Sequence, residues 1–158
     1  MGDAYVNARL LNSFDEGWKF NPDPENDGLQ RGLINANYDD SSWKNISVLD
    51  WWQMQGFSDY HGVAWYRVKF SGELPKADEH ELLYFGAIDG NARVYLNGEN
   101  IAEHKLGQNY QGWDQPFSVD VTHKILPENI LAVQVTSKSN NTSSGIFKGV
   151  ALVAGTPR

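Results

Sequence analysis

An Asn-Gly pair between two apolar-rich segments constrains the fold of this chain more than any other feature. Asn97-Gly98 lies between the segments ARVYL and NIAEH. A two-residue Asn-Gly connection is the strongest short-range signal for a β-hairpin, because both residues tolerate positive φ. The sequence therefore predicts two antiparallel strands joined here by a tight turn.

Short strands are predicted throughout the chain from Ala64 onward. This region alternates β-branched and aromatic segments with turn signals, and no long apolar pattern of helical period interrupts it. The predicted strands are Ala64 to Phe70, Glu81 to Phe85, Ala92 to Leu96, Asn100 to His104, Phe117 to Val121, Ile130 to Thr136 and Val150 to Val153. Seven short strands predict an all-β fold, an antiparallel β-sandwich built as a single domain over residues 1–158.

The first sixty residues are rich in Asn, Asp, Gly and Pro, and the turn signals predict mostly loops there. Large aromatic residues are expected to hold these loops against the sheet. The anchors are Trp18, Phe20, Trp43 and one of the adjacent pair Trp51 and Trp52. Consecutive residues of an extended segment point to opposite faces, so one member of this pair should be buried and the other exposed.

Composition excludes several classes of function. The chain has 158 residues, no cysteine and a net charge of -7. Thiolate chemistry is therefore excluded, and the acidic balance argues against nucleic acid and favours an uncharged ligand. No apolar run is long enough to span a membrane, which predicts a soluble chain. The location in the cell stays open between a cytosolic protein and a domain of a larger secreted or periplasmic protein.

The sequence contains no recognisable catalytic motif. The four histidines are too scattered in the sequence to indicate a zinc site. With twenty acidic residues some acidic pairs are inevitable, and solvated turns explain them better than acid-base catalysis does. No nucleophile elbow, phosphate-binding loop or dinucleotide motif is present. No cofactor is expected, although a structural calcium ion could be held by Asp23, Asp27 and Asp40.

The segment from Lys105 to Gln115 is the candidate ligand-binding loop. It contains too few apolar residues to form a core, so it must lie on the surface. Flat aromatic rings beside short polar side chains are typical of a small-molecule binding site. Trp113 and Tyr110 could stack on a ligand, while Gln108 and Asp114 could hydrogen-bond to it. Both aromatics could instead cap the core.

An ordered series of short motifs gives the chain a family resemblance over about residues 14 to 154. The series comprises GWKF at 17–20, YDDSSW at 38–43, WQMQG at 52–56, YHGVAWYR at 60–67, VYLNG at 94–98, His104, PFSVDVT at 116–122, NILAV at 129–133 and SGIFKGV at 144–150. In this order the motifs resemble the sugar-binding, galactose-binding-like jelly-roll domain of glycoside hydrolase family 2 enzymes, which include β-galactosidases and β-glucuronidases.

The resemblance implies a β-sandwich that is not itself an enzyme, since the catalytic glutamates of that family stand in a separate barrel domain. It also implies that the loops 53–62 and 137–144 cluster with the loop 108–115, which is an insertion relative to many members of the family. The expected sugar-binding residues are Trp113, Tyr110, Gln108, Asp114, Trp52, Tyr60, His61 and Asn140.

Three functions remain open at this point. The first is a non-catalytic carbohydrate-binding module that holds a parent enzyme on a neutral glycan. The second is a structural N-terminal domain of a β-galactosidase or β-glucuronidase, in contact with the catalytic domain and without sugar affinity of its own. The third is a sandwich that binds another protein, with Trp113 and Trp52 as interface anchors.

Overall fold

A computed structural model describes residues 4–158 of the chain. Its strands within these residues are β1 (Tyr5–Ser13), β2 (Lys19–Pro22), β3 (Lys44–Asn45), β4 (Val63–Ser71), β5 (His80–Phe85), β6 (Ile88–Asp89), β7 (Asn91–Leu96), β8 (Glu99–His104), β9 (Phe117–Asp120), β10 (Glu128–Thr136), β11 (Gly145–Ile146) and β12 (Val150–Pro157). Single turns of 3-10 helix occur at Trp52–Met54 and Gln108–Tyr110. No helix in this part of the chain is long and apolar enough to cross a membrane.

The strands form the predicted antiparallel sandwich. One sheet has six strands in the order β3-β2-β4-β10-β7-β8, and the other has four in the order β1-β12-β5-β9. The short strands β6 and β11 pair separately. Every pairing is antiparallel, including that of the nine-residue strand β1 with β12. The prediction of loops is wrong for residues 5–13, which form β1, because this irregular edge strand has two register shifts and little buried surface and so lacks a clear alternating pattern.

The Asn-Gly hairpin is confirmed. Asn97 and Gly98 have φ values of 51° and 84°, and they join β7 to β8. The side chain of Asn97 also stabilises the neighbouring strand, because its Oδ1 accepts the backbone N–H of Ile130 at 2.9 Å. The turn is therefore tied to the sheet as well as being locally favoured.

The core lies between the two sheets and follows the alternation of the strands. Val94 of β7 and Val133 of β10 point into it, together with Leu83 and Phe85 of β5 from the opposite sheet. Trp18 is almost fully buried among them, and its indole nitrogen donates to the carbonyl of Phe14 at 2.8 Å. The aromatic anchors predicted for the N-terminal part are thus core residues.

The loop 23–43 covers part of the outer face of the six-stranded sheet. Leu33 and Trp43 on this loop pack against Trp65 of the sheet. A fully buried guanidinium fixes the loop, since Arg67 binds the carboxylate of Asp40 at 2.9 Å and the carbonyl of Leu33. A buried cation is stable only when paired and hydrogen-bonded, so this contact determines the path of the loop.

The three carboxylates suggested for calcium have other partners. Asp23 is fully buried, accepts the N–H of Gly28 and the indole N–H of Trp65, and lies 3.2 Å from Arg31. Asp27 pairs with the same arginine, and Asp40 pairs with Arg67. Residues 4–158 contain no group of three metal-binding side chains. The calcium interpretation of these aspartates is not supported by their geometry.

Candidate functional site

A buried lysine joins the loops at one end of the sandwich. Lys138 follows β10, and its Nζ lies 2.5 Å from Oδ1 of Asp89 and 3.1 Å from the carbonyl oxygen of Ser143. The same Nζ lies 5.7 Å from the ring centroid of Trp113 and 6.0 Å from that of Tyr110. These distances are those of cation–π contacts. Lys138 therefore links the aromatic loop to the sandwich.

The clustering of the three loops is confirmed by hydrogen bonds between two of them and by the ring contacts of Lys138 with the third. Gln53 accepts the backbone N–H of Ser144 at 2.7 Å, and Ser137 accepts that of Gly62 at 2.7 Å. The loops 53–62 and 137–144 are thus bonded to each other. Lys138, on the second of them, reaches the loop 108–115.

Three near-parallel aromatic rings form the wall of this end. The ring of Phe147 lies 4.8 Å from that of Trp51 at an interplanar angle of 17°, and 6.0 Å from that of Trp113 at 12°. Trp51 is also fixed through its indole nitrogen, which donates to Oδ2 of Asp89 at 3.0 Å. We call the set Trp51, Asp89, Tyr110, Trp113, Lys138 and Phe147 the loop-end cluster.

The electrostatics of the loop-end cluster centre on Asp89. Burial raises the pKa of its carboxyl group above the ordinary value, and Asp114 adds repulsion in the same direction. Hydrogen bonds from Lys138 and Trp51 oppose this shift. The carboxylate is fully engaged with these two donors, so its role is to hold the lysine and the indole rather than to transfer a proton.

The backbone at the tip of the aromatic loop is strained. Asn109 and Tyr110 have φ values of 56° and 61°. Asn visits this left-handed region at modest cost, but for tyrosine it is rare. Strain of this kind persists only where surrounding contacts fix it, and it concentrates at binding sites. The contact with Lys138 is one such restraint on Tyr110.

The structure brings four of the predicted site residues onto one loop. Trp113 and Tyr110 are 38% and 45% exposed, so each offers part of its side chain to solvent. Gln108 is exposed, and Asp114 is half-buried with its Oδ1 accepting from Gln115 at 3.1 Å. Aromatic and polar groups are therefore adjacent here.

Trp52 does not belong to the site. It is 0% exposed and packs in the core, where its indole nitrogen donates to the carbonyl of Tyr60 at 3.0 Å. The expected ligand contact at Trp52 is wrong, because no part of its ring reaches solvent, and the same burial excludes it as a protein-interface anchor. Its half-buried neighbour Trp51 takes the place beside the aromatic loop.

The remaining predicted residues lie beside the cluster. Tyr60 is half-buried against Trp52, donates through its hydroxyl to the carbonyl of Val63, and has its pKa raised by burial. His61 is half-buried, with a buried Nδ1 that has no hydrogen-bond partner among the described residues. Asn140 is exposed on the loop after β10. Tyr60 therefore packs against and positions Trp52. His61 and Asn140 keep solvent-accessible surface, so a ligand contact at either stays a prediction.

Sequence reasoning missed Lys138, Phe147 and the role of Asp89. Asp89 precedes a strand, a position at which aspartate is typical of turn hydrogen bonding, so the sequence carries no signal for its distant partners. One signal for Lys138 was present, since it is the single charged residue in the loop SKSNNTSS at 137–144. A lysine in a loop is ordinarily hydrated, so this signal is weak, and the burial that makes Lys138 pair with Asp89 on a distant strand appears only in the fold.

Comparisons with known proteins give relatives of one enzyme family. A β-glucuronidase of Formosa agariphila is 32% identical over 149 residues, which covers 82% of this chain and 14% of the relative. A β-galactosidase of Thermoanaerobacter pseudethanolicus is 28% identical over 136 residues, covering 84% of this chain and 18% of the relative. No family model matches the chain.

Solved structures agree in fold. The Ruminococcus gnavus β-glucuronidase matches all of this chain with a TM-score of 0.74 and 22% identity, over 31% of its own length. A Bacteroides uniformis β-glucuronidase matches 94% of the chain with a TM-score of 0.72 and 23% identity, over 18% of its length. The chain spans between 14% and 20% of the length of the curated relatives it matches. It corresponds in sequence and fold to a β-sandwich domain of glycoside hydrolase family 2 enzymes.

Proposed function

We propose that this chain is a non-catalytic carbohydrate-binding domain, which holds a parent glycoside hydrolase on a neutral glycan through its loop end. The observation that carries the proposal is the pair of partly exposed aromatics Trp113 and Tyr110, whose ring centroids both lie within 6.0 Å of Nζ of Lys138. The names of the relatives, which are β-galactosidases and β-glucuronidases, support a carbohydrate as the ligand class, and the net charge of -7 favours an uncharged one.

The chemistry of the loop end suits a sugar ring. The exposed parts of Trp113 and Tyr110 supply flat apolar surface for a C–H face. Gln108 and Asp114 supply a side-chain amide and a carboxylate on the same loop, so hydroxyl groups at the rim of the ring can be bound as donors and as acceptors. The Phe147 ring and the Lys138 ammonium restrain the loop before a ligand arrives, which lowers the entropy lost on binding.

A binding role fits these groups better than catalysis. Glycoside hydrolysis uses two carboxyl groups that face each other across the scissile bond. In the loop-end cluster the buried carboxylate of Asp89 is held by Lys138 and Trp51, which leaves it no freedom to act as acid or nucleophile. Catalysis is therefore assigned to the remainder of a parent enzyme.

Calorimetric titration of the 158-residue chain with neutral oligosaccharides tests the proposal. Trp113→Ala should weaken binding by about tenfold or more, since stacking on an aromatic face contributes on the order of 1 kcal/mol beyond the buried area. Leu74→Ala, which removes an exposed apolar side chain far from the loop end, should leave binding unchanged. A folded Trp113→Ala chain that binds every sugar as well as the parent chain would remove this loop from the site.

A structural role within the parent enzyme is the second candidate, and two exposed side chains favour it. Leu49 and Met54 are exposed and lie close in sequence to Trp51. Trp113 is already occupied on one side by its stack with Phe147. This apolar surface suits packing against a neighbouring domain. In that case the isolated chain should bind no saccharide, while Met54→Asp in the full parent enzyme should lower its thermal stability. Saccharide binding by the isolated chain would decide against this candidate.

A further inference from the structure

A polar groove lies on the outer face of the six-stranded sheet, outside the loop-end cluster. It has a volume of about 470 Å³, and it is bounded by Asn26 and Leu29 on the loop 23–43 and by Leu106 after β8. This volume falls within the roughly 300–1,000 Å³ of typical small-molecule sites. None of the loop-end cluster side chains lines it.

The floor of the groove follows from strand alternation. Ala92 and Val94 of β7 point into the core, so Arg93 between them points outward. Gln134 of β10 and Glu103 of β8 are its direct cross-strand neighbours. Thr136 and Asn91 form the next cross-strand pair. The adjacent strands β10, β7 and β8 thus present a flat polar surface. This surface begins at the edge of the area that the loop 23–43 covers.

Several hydrogen-bonding groups on this floor have spare capacity. Asn91 uses its Oδ1 to accept the N–H of Leu106 at 2.8 Å, which leaves its NH₂ group available. Gln134 is 9% exposed and makes a single long contact, 3.3 Å from its Nε2 to Oδ1 of Asn26. The guanidinium of Arg93 lies 3.6 Å from Glu103, which is an ion pair beyond hydrogen-bond distance. The floor can therefore donate and accept toward a ligand.

We infer that this groove is a second binding site, which takes a neutral saccharide. Sugar hydroxyls donate and accept together, and the amides of Asn91 and Gln134 with the hydroxyl of Thr136 match that requirement. Leu29 and Leu106 give apolar walls for the C–H groups. Glu103 lies 3.6 Å from Arg93 and 3.5 Å from Lys105. On the floor of the groove the glutamate offsets the arginine, and the remaining positive charge belongs to Lys105, whose side chain is 79% exposed at the rim, so an uncharged ligand suits the floor.

The groove and the loop-end cluster would act on one glycan. The segment that borders the groove at Leu106 continues directly into the aromatic loop. Two sites joined by a rigid scaffold raise the overall affinity for a polymer without any new contact, because the second binding event becomes intramolecular. The groove inference does not depend on sugar binding at the loop end, since the two sites share no side chain.

Nuclear magnetic resonance titration of the 158-residue chain with lactose and with cellobiose reads both sites at once. The side-chain amide signals of Asn91 and Gln134 report on the groove, and the indole signal of Trp113 reports on the loop end. We expect the groove amide signals to shift and to saturate with at least one of the two disaccharides. Groove signals that stay unmoved up to the solubility limit of both sugars would overturn the inference, whatever the Trp113 signal does.

Substitutions separate the groove from the loop end. Arg93→Ala and the isosteric Thr136→Val should each weaken disaccharide binding at the groove about tenfold. Lys44→Ala, on the far edge strand of the same sheet, should leave this affinity unchanged. A shift of the Trp113 signal alone would support sugar binding at the loop end and overturn the inference of a second site in the groove. Binding of glucuronate at the groove amides without binding of the neutral sugars would also overturn it, since the ligand class would then be anionic.

Discussion

The ammonium group of Lys138 lies 2.5 Å from the carboxylate of Asp89, and the two side chains are 10% and 3% exposed. This ion pair connects the loop after β10 with the short strand β6, and the same lysine faces Trp113 and Tyr110. The position of the aromatic loop relative to the sheets therefore depends on a buried pair of opposite charges.

Replacing the lysine should destabilise the chain strongly. Lys138→Met keeps the length of the side chain but leaves Asp89 buried without its cation, a change that costs on the order of 3 kcal/mol. Urea unfolding measures the loss. The matched control is Lys124→Met, which breaks the exposed pair with Glu99 and should cost less than about 1 kcal/mol. Equal losses in the two variants would contradict a buried pair at the loop end.

The stability of the chain should fall as pH rises through neutrality because of Glu81. Its side chain is buried on β5, and its Oε2 has no hydrogen-bond partner among the described residues. Burial, reinforced by the charges of Glu73 and Glu79, raises its pKa from 4.5 to about 7. The folded chain thus binds this proton more tightly than the unfolded chain. The resulting stabilisation is complete below pH 4.5 and is lost as pH rises through about 7.

Glu81→Gln isolates this effect because the amide does not titrate. Urea unfolding of both chains at about pH 5 and about pH 8.5 should show the parent losing on the order of 2 kcal/mol relative to the variant, allowing for solvent screening. Other groups with shifted pKa values, such as Asp120, are common to both chains and cancel in the difference. A difference that is the same at both pH values would rule out a protonated Glu81 in the fold.

The sequence was sufficient for features that depend on local pattern. Asn97-Gly98 specifies its turn through backbone preference alone, and alternation on β10 predicts which side chains enter the core. Trp113 could be placed on the surface because the residues around it cannot form a core. These features need no knowledge of distant partners.

Features that depend on tertiary contacts could not be read from the sequence. Trp51 and Trp52 are adjacent, and alternation predicts one buried ring without deciding which. The choice follows from the acceptor that each indole finds, Asp89 for the first and the carbonyl of Tyr60 for the second. Lys138 likewise meets its carboxylate 49 residues away along the chain. Pairings over such distances are set by how the sheets stack.

The loop 23–43 should loosen when its buried guanidinium is altered. Arg67 contacts Asp40 and the backbone carbonyls of Leu33, Asn35 and Tyr38, and a lysine ammonium cannot reproduce this planar set of donors. Arg67→Lys should cost about 3 kcal/mol in urea unfolding.

Limited trypsin digestion gives a local measure of the same change. Arg31 lies on this loop, so cleavage after it should accelerate in Arg67→Lys under conditions that leave the parent chain intact. Arg93→Lys, an exposed substitution on the same sheet, should digest like the parent. Unchanged cleavage at Arg31 in a destabilised Arg67→Lys chain would show that the guanidinium does not fix the loop.

Gly145 should tolerate no side chain, although it lies beside the loop end rather than in a turn. Its φ is 112°, and an added Cβ would stand 2.2 Å from the hydroxyl of Tyr66 and 3.1 Å from the ring of Trp52. Tyr66 cannot move away easily, since it is fully buried and its hydroxyl accepts the N–H of Ile146 at 3.2 Å. Gly145→Ala should therefore combine backbone strain with overpacking, a cost of about 3 kcal/mol.

Gly98→Ala separates these two contributions. Gly98 also has a positive φ, of 84°, but an added Cβ would meet nothing within 4 Å. Its substitution should carry the backbone strain alone, about 1 kcal/mol, when both variants are unfolded in urea. If Gly145→Ala costs no more than Gly98→Ala, the contact with Tyr66 is not tight, and the backbone at Gly145 can shift to accept a methyl group.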